Sequence, residues 1–228
     1  MNFKGFPQEG IDFLRNLAAN NDREWFKAHR SEYEELVLEP ALELVTALGE
    51  EVAAAFPPIT YSTSGNSGSL MRLNRDTRFS TDKTPYKTHV AMMFVPEGRP
   101  KMGAPGFGLQ ITTNYAELIV GQFVFDKHQL ERYREAVLSD TSGPALVDAA
   151  SLVAKTGNYP LGGKALKRVP QGYDQEHPRS EWLKYKGLHV FAPTISLAVA
   201  ATPKLIDVAM GHFRLMAPIW SWLIKYVN

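Results

Sequence analysis

The chain of 228 residues is 44% hydrophobic and 21% charged, an ordinary globular composition. Its formal net charge of +1 excludes a polycation drawn to nucleic acid or membrane by bulk charge. It contains no cysteine, which excludes disulfides, thiolate catalysis and cysteine-based metal centres and fits a reducing, cytoplasmic setting. No apolar run reaches the ~18 residues of a membrane-spanning helix, so no membrane partner is expected. The first ten residues show no signal-peptide pattern.

In chain order, residues 7–19 read as a helix with Ile11, Phe13, Leu14 and Leu17 on one stripe. Asn20, Asn21 and Asp22 interrupt it, and any of them suits the N-cap of a helix beginning at Arg23. Tyr33, Leu36 and Val37 continue an apolar face, and Pro40 starts a new helix or kinks the old one. Leu42, Val45, Leu48 and Val52 keep helical spacing as far as Ala55, and Pro57-Pro58 ends the run. Ser62 to Ser69 reads as a loop.

Leu70 to Leu73 reads as a short strand, Arg75 to Pro85 as irregular, and Tyr86 to Val95 as a strand. Phe107 to Thr113 and Glu117 to Val124 are expected to pair antiparallel about Asn114-Tyr115. Asp126 to Gln129 has the form of a capping box opening a helix over 127–138. A second helix runs from Ser142 through Val153. Residues 157–163 read as a turn-rich link and 164–186 as loop-heavy. Leu188 to Ala198 is a strand candidate, and Thr202-Pro203 suits the start of the final helices. Helices, then strands, then helices predict an α+β fold: a mostly antiparallel sheet covered by N-terminal and C-terminal helices, as a single domain over 1–228.

Charge is unevenly spread. Between Leu70 and His89 stand Arg72, Arg75, Arg78, Lys83 and Lys87 against Asp76 and Asp82, a net +3. Between 164 and 186 stand Lys164, Lys167, Arg168, Arg179, Lys184 and Lys186 against Asp174, Glu176 and Glu181, again +3. Leu70, Met71, Leu73, Phe79 and Tyr86 give the first stretch apolar anchors. A basic segment tied into a core needs either internal carboxylates or an external anion. The competing readings are therefore ion pairs with Asp76, Asp82 and acids between Glu24 and Glu43, or a ligand.

The ligand reading expects a small phosphate- or carboxylate-bearing molecule. Arg72, Arg75, Arg78, Lys83 and Lys87 would supply charge from one loop; Lys167, Arg168, His177, Lys184 and Lys186 would supply it from the other. Were the site catalytic, Asp76, Asp82, Tyr86 and His177 would be the acid–base candidates. Nucleic acid is the rival partner, with Phe79, Tyr86 and Trp182 as stacking surfaces. A non-enzymatic interaction protein is the third reading. Residues 157–164 resemble a phosphate loop only loosely, because the lysine falls one position late and Ala165 replaces its Ser or Thr. Asp174, Glu176 and His177 read as a solvated turn. No metal site or cofactor is implied.

Three stretches carry a family likeness. They are Asn20 to Phe26, followed by Arg30, Tyr33 and Pro40; Arg72 to Thr88; and Leu166 to Pro178, followed by Leu183-Lys184 and Lys186-Gly187. In these the chain resembles the bacterial and fungal family of domain of unknown function 2461. The resemblance implies no activity, cofactor or catalytic residue. A glycine-rich strand common in that family corresponds to Glu117–Phe123, where this chain has Gly121 alone.

Overall fold

A computed structural model describes residues 3–65 and 68–228. Asn66 and Ser67, inside the expected Ser62–Ser69 loop, and the first two residues of the N-terminal stretch lie outside the described residues. The fold is α+β. Helices α1 (Gln8–Ala19), α2 (Arg23–Ala28), α3 (Arg30–Tyr33) and α4 (Glu39–Ala55) come first, with a π-helical turn at Glu34–Leu38 feeding α4. Strands β1 (Ile59–Thr60), β2 (Val90–Pro96), β3 (Gly106–Ile111) and β4 (Tyr115–Gln122) follow. After α5 (Lys127–Leu138) and α6 (Ser142–Lys155) come β5 (Leu161–Lys164), β6 (Tyr185–Phe191), β7 (Ile195–Ser196), α7 (Leu197–Ala200) and α8 (Lys204–Tyr226).

The seven strands form one sheet in the order β1-β2-β3-β4-β6-β5, with β7 also paired to β4. β4 runs antiparallel to β6 with Gly121 opposite His189, and antiparallel to β7 with Ala116 opposite Ile195. β2 is buried at every position but Ala91, so it is covered on both faces and reads as an unbroken apolar run.

The chain divides into two compact units, Met1–Phe94 with Gly108–Glu117 and Thr194–Met210, and Val95–Phe107 with Leu118–Pro193 and Gly211–Asn228. In the first, α1 buries the expected Ile11, Phe13, Leu14 and Leu17, and α4 buries Leu44, Val45, Leu48 and Val52. Each buried Leu contributes roughly 1.5–3 kcal/mol of transfer free energy. Gly10 lets α1 approach closely, because a Cβ there would collide with the Leu36 carbonyl of the π turn. Pro40 sits in the first turn of α4, where the π-helical turn runs into it.

The second unit closes around aromatic rings. Tyr133 of α5 is fully buried, lies 4.9 Å from Phe125 and 5.8 Å from Trp222, and donates its hydroxyl to Trp182 O at 3.0 Å. The capping box is complete: Asp126 accepts from Gln129 N at 2.8 Å, and Gln129 Oε1 accepts from Asp126 N at 3.1 Å. Gln129 is itself buried and reaches Gln122 at 2.7 Å.

Four expectations change. Leu188–Ala198 is not one strand: β6 ends at Phe191, β7 spans only Ile195–Ser196, and Leu197–Ala200 is helical. Leu70–Leu73 is not a strand but touches β2 through an isolated bridge between Leu70 and Met92. The strand expected from Tyr86 starts only at Val90, because Pro85 has no N–H to donate and Tyr86 forms an isolated bridge with Asn74 in place of a ladder. The turn-rich link ends in β5, where Gly162 pairs with His189 of β6 and Gly163 sits at an irregularity in the register.

Candidate functional site

The basic stretch of the first unit folds as an arm. Met71 N donates to Ala91 O at 2.8 Å and Met93 N to Ser69 O at 2.9 Å, tying its root to β2. Further out, Arg75 N donates to Pro85 O and Lys87 N to Leu73 O, both at 2.9 Å, so the two sides of the arm run antiparallel. Residues 76–84 form its irregular tip.

The tip is held by its own charges. Arg75 Nη1 pairs with Asp82 Oδ2 at 2.5 Å and also donates to Thr84 Oγ1 and, at 3.3 Å, to Thr84 O. Arg78 bonds both oxygens of Asp76, at 3.0 and 2.8 Å. The Arg78 guanidinium and its backbone N–H hold the Asp76 carboxyl down at about 2. The Thr84 backbone N–H, with Arg75 and the Thr84 hydroxyl, holds Asp82 at about 2 as well. Carboxylates held so low are weak bases at neutral pH. Lys83 Nζ donates to Thr77 O at 2.8 Å, and Lys87 Nζ to Arg72 O at 3.0 Å. Arg72 is exposed and makes no ion pair among the described residues.

Beside the arm lies a cleft of about 630 Å³. One wall is the α2 entry, Asn21 to Glu24; the other is Asn74, Arg75, Thr77 and Lys83 to Pro85. Asp22 caps α2 by accepting from Trp25 N at 2.9 Å. Asn21 fastens the walls together through the backbone of Tyr86, whose ring lies 4.3 Å from Phe26. Three cations, Arg23, Arg75 and Lys83, face the cleft against the carboxylates of Asp22 and Glu24. Among the described residues Arg75 bonds through Nη1 alone, so Nε and Nη2 keep donors unspent.

The expected residues are thus distributed. Arg75 and Lys83 line the cleft; Arg72, Arg78 and Lys87 belong to the same arm but not to that lining. Asp76 and Asp82 are ion-pair partners of the arm, and Tyr86 is half-buried at its base. Arg23, Asn74, Thr77 and Thr84 line the cleft without having been singled out. Three of these four stand inside Arg72–Thr88 and the fourth inside Asn20–Phe26, which is the signal that could have found them.

His177, Lys167, Arg168, Lys184 and Lys186 belong to the second unit. There Glu181 lies between Lys184 and Lys164, 2.9 Å from the latter, and the two ammonium groups hold it at about 2. Arg179 donates Nε to Val137 O at 2.7 Å and Nη2 to Leu138 O at 2.9 Å and Ser139 O at 3.2 Å, so it closes the C-terminus of α5. His177 Nδ1 accepts from Arg179 N at 3.1 Å. Lys167, Arg168 and Lys186 are exposed and make no ion pair among the described residues. Asp174 accepts from Glu176 N at 2.9 Å, the turn its sequence suggests. Among the described residues no helix is long and apolar enough to cross a membrane.

The chain belongs to the family described as conserved hypothetical protein (DUF2461), which it matches over residues 9–222. No curated protein matches it.

Proposed function

We propose, from membership of a family without an assigned activity, that the first unit binds a small phosphate- or carboxylate-bearing ligand in the cleft between the α2 entry and the basic arm. One observation carries this reading: Asp82 and Thr84 hold Arg75 through Nη1 while its other donors stay unspent among the described residues, at a cleft of about 630 Å³. That volume falls within the ~300–1,000 Å³ typical of small-molecule sites. A guanidinium held in place loses little further freedom on meeting an anion, and binds two oxygens at once. Lys83 adds a point charge beside it. The cysteine-free composition supports a cytoplasmic setting.

The test is thermal melting at constant ionic strength with inorganic phosphate, pyrophosphate, citrate and acetate, using chloride as the reference. Phosphate- or polycarboxylate-bearing ligands should raise the melting temperature, and Lys83→Ala should remove most of that rise while leaving the free protein nearly unchanged. Arg75→Ala should reduce the ligand-induced rise more than it lowers the melting temperature of the free protein. No rise with any anion, or a rise untouched by both substitutions, overturns the reading.

One observation favours a second reading. Phe79, at the arm's tip, is 95% exposed, with the Arg78 guanidinium 5.8 Å from its ring centre. A bare ring beside cations suits base stacking on single-stranded nucleic acid. Affinity falling steeply with log salt, and lost in Phe79→Ala, would establish that reading instead.

A further inference from the structure

The root of the same arm borders a second depression, of about 290 Å³, within the first unit. Its lining is mainly apolar: Leu38 and Leu42 from the helical side, and Leu70, Met71 and Leu73 from the arm. All five are only partly buried, so the fold leaves a patch of large aliphatic side chains incompletely covered at one place. Leu38 ends the π-helical turn, a distortion that recurs at functional sites.

Three polar side chains join this lining: Thr63, Arg72 and Tyr33. Arg72 is exposed and has no ion pair among the described residues, unlike Arg75 and Arg78 on the same arm. Tyr33 is held by ring contacts with Phe13 at 6.0 Å and Phe26 at 5.3 Å, and its hydroxyl has no hydrogen-bond partner among the described residues. Burial and the neighbouring Glu34 raise the Tyr33 phenol above its ordinary value, so it remains a donor across the physiological range.

We infer that this groove binds a small amphipathic carboxylate, its hydrocarbon part on Leu38, Leu42, Leu70, Met71 and Leu73 and its carboxylate on Arg72, with Tyr33 as a second donor. The apolar lining selects for a tail, and the unpaired guanidinium selects for the anionic head over a neutral or cationic one. The volume sits at the lower edge of the ~300–1,000 Å³ range of small-molecule sites, which limits the tail to a short or medium chain.

The experiment titrates the full chain with sodium octanoate, kept below its micelle concentration, by calorimetry and by melting temperature. Octanol, octylamine and acetate are the comparators. Octanoate should bind at least about tenfold more tightly than octanol, and acetate and octylamine should not bind measurably. Arg72→Ala should weaken octanoate at least about tenfold with little change in the melting temperature of the free protein, since the exposed Arg72 makes no ion pair among the described residues and acts on Asp76 only through its field. Leu42→Phe, which fills the groove, should weaken octanoate in the same way; Arg75→Ala should leave it unchanged, because Arg75 belongs to the other cleft. Octanoate binding equal to octanol or acetate, or unaffected by both Arg72→Ala and Leu42→Phe, overturns the inference. So does co-sedimentation with vesicles of anionic phospholipid in the absence of any binding of free octanoate, which would make the source of the carboxylate or phosphate head a lipid surface.

Discussion

The side chain of Asn21 clamps the main chain of Tyr86 in both directions: Nδ2 donates to Tyr86 O at 3.0 Å, and Oδ1 accepts from Tyr86 N at 3.1 Å. The amide copies what a neighbouring strand would offer, at the point where Pro85 has ended regular pairing. It also fixes the α2 entry against the basic arm, and so sets the width of the proposed cleft. Asn21→Ala should cost about 1–3 kcal/mol, the loss of two partly buried neutral bonds. Asn21→Asp keeps the acceptor but cannot donate, and should recover part of that loss. Urea denaturation checks both, and an Asn21→Ala protein as stable as the parent would show that the clamp does not hold the walls.

Arg179 was expected only as one charge in a basic stretch, yet it closes a helix. Its side chain is 14% exposed and donates to three carbonyls at the end of α5. Those carbonyls have no partner inside the helix, and a cation there also suits the helix dipole. Gly143 leaves room for it, since a Cβ at that position would strike Arg179 Nε. Arg179→Ala should lower stability by about 2–4 kcal/mol. Arg179→Lys should recover little, because a single ammonium cannot span three acceptors. Chemical denaturation measures both, and a loss confined to a few tenths of a kcal/mol would contradict the cap.

The response to acid should come in two stages. Burial lowers His189 and His212 below the ordinary 6.5, so the unfolded chain takes up protons before the folded one does. Stability from these groups is complete above about 6.5 and falls as the pH drops below it. Asp76, Asp82 and Glu181 behave differently: each is held at about 2 against ordinary values of 3.8, 3.8 and 4.5. Their contribution is complete above about 4.5 and is lost as the pH falls through about 2. All three are solvent-exposed, so added salt should weaken this second stage. Melting temperatures from pH 7 to 2 should therefore decline below 6.5 and again below about 4, and His189→Gln should flatten only the first decline.

Local chemistry was legible in the sequence and long-range chemistry was not. Asp126 and Gln129 are three residues apart, so their capping box could be read directly, as could the apolar stripe of α1; the cap of α2 was open among Asn20, Asn21 and Asp22, and the stripe of α4 buries Leu44 where spacing pointed to Leu42. The tie between Asn21 and Tyr86 spans 65 residues, and no spacing rule reaches across it. β5 escaped notice because Gly162-Gly163 looks like a turn. Gly162 in fact faces the His189 ring, which occupies the space a Cβ would take. The basic stretch could be read from charge, but which arginines its own aspartates would claim depended on the path of the tip. Arg72, Arg75 and Arg78 look equivalent at a spacing of three, yet the fold pairs Arg75 and Arg78 and leaves Arg72 without an ion pair among the described residues.

Gly121, the single glycine of β4, tests the geometry of the sheet in the second unit. Its φ is 124°, outside the region open to other residues, and an added Cβ would collide with Leu188 O on the adjacent strand. Backbone strain and the steric clash act together, so Gly121→Ala should cost about 3–5 kcal/mol. Gly172 separates the two effects: its φ is 89°, but nothing lies within 4 Å of a Cβ there. Gly172→Ala carries backbone strain alone and should cost about 1–2 kcal/mol. Parallel denaturation of the two variants measures the difference. If both lose the same amount, the close approach of β4 and β6 at Gly121 is not what demands a glycine.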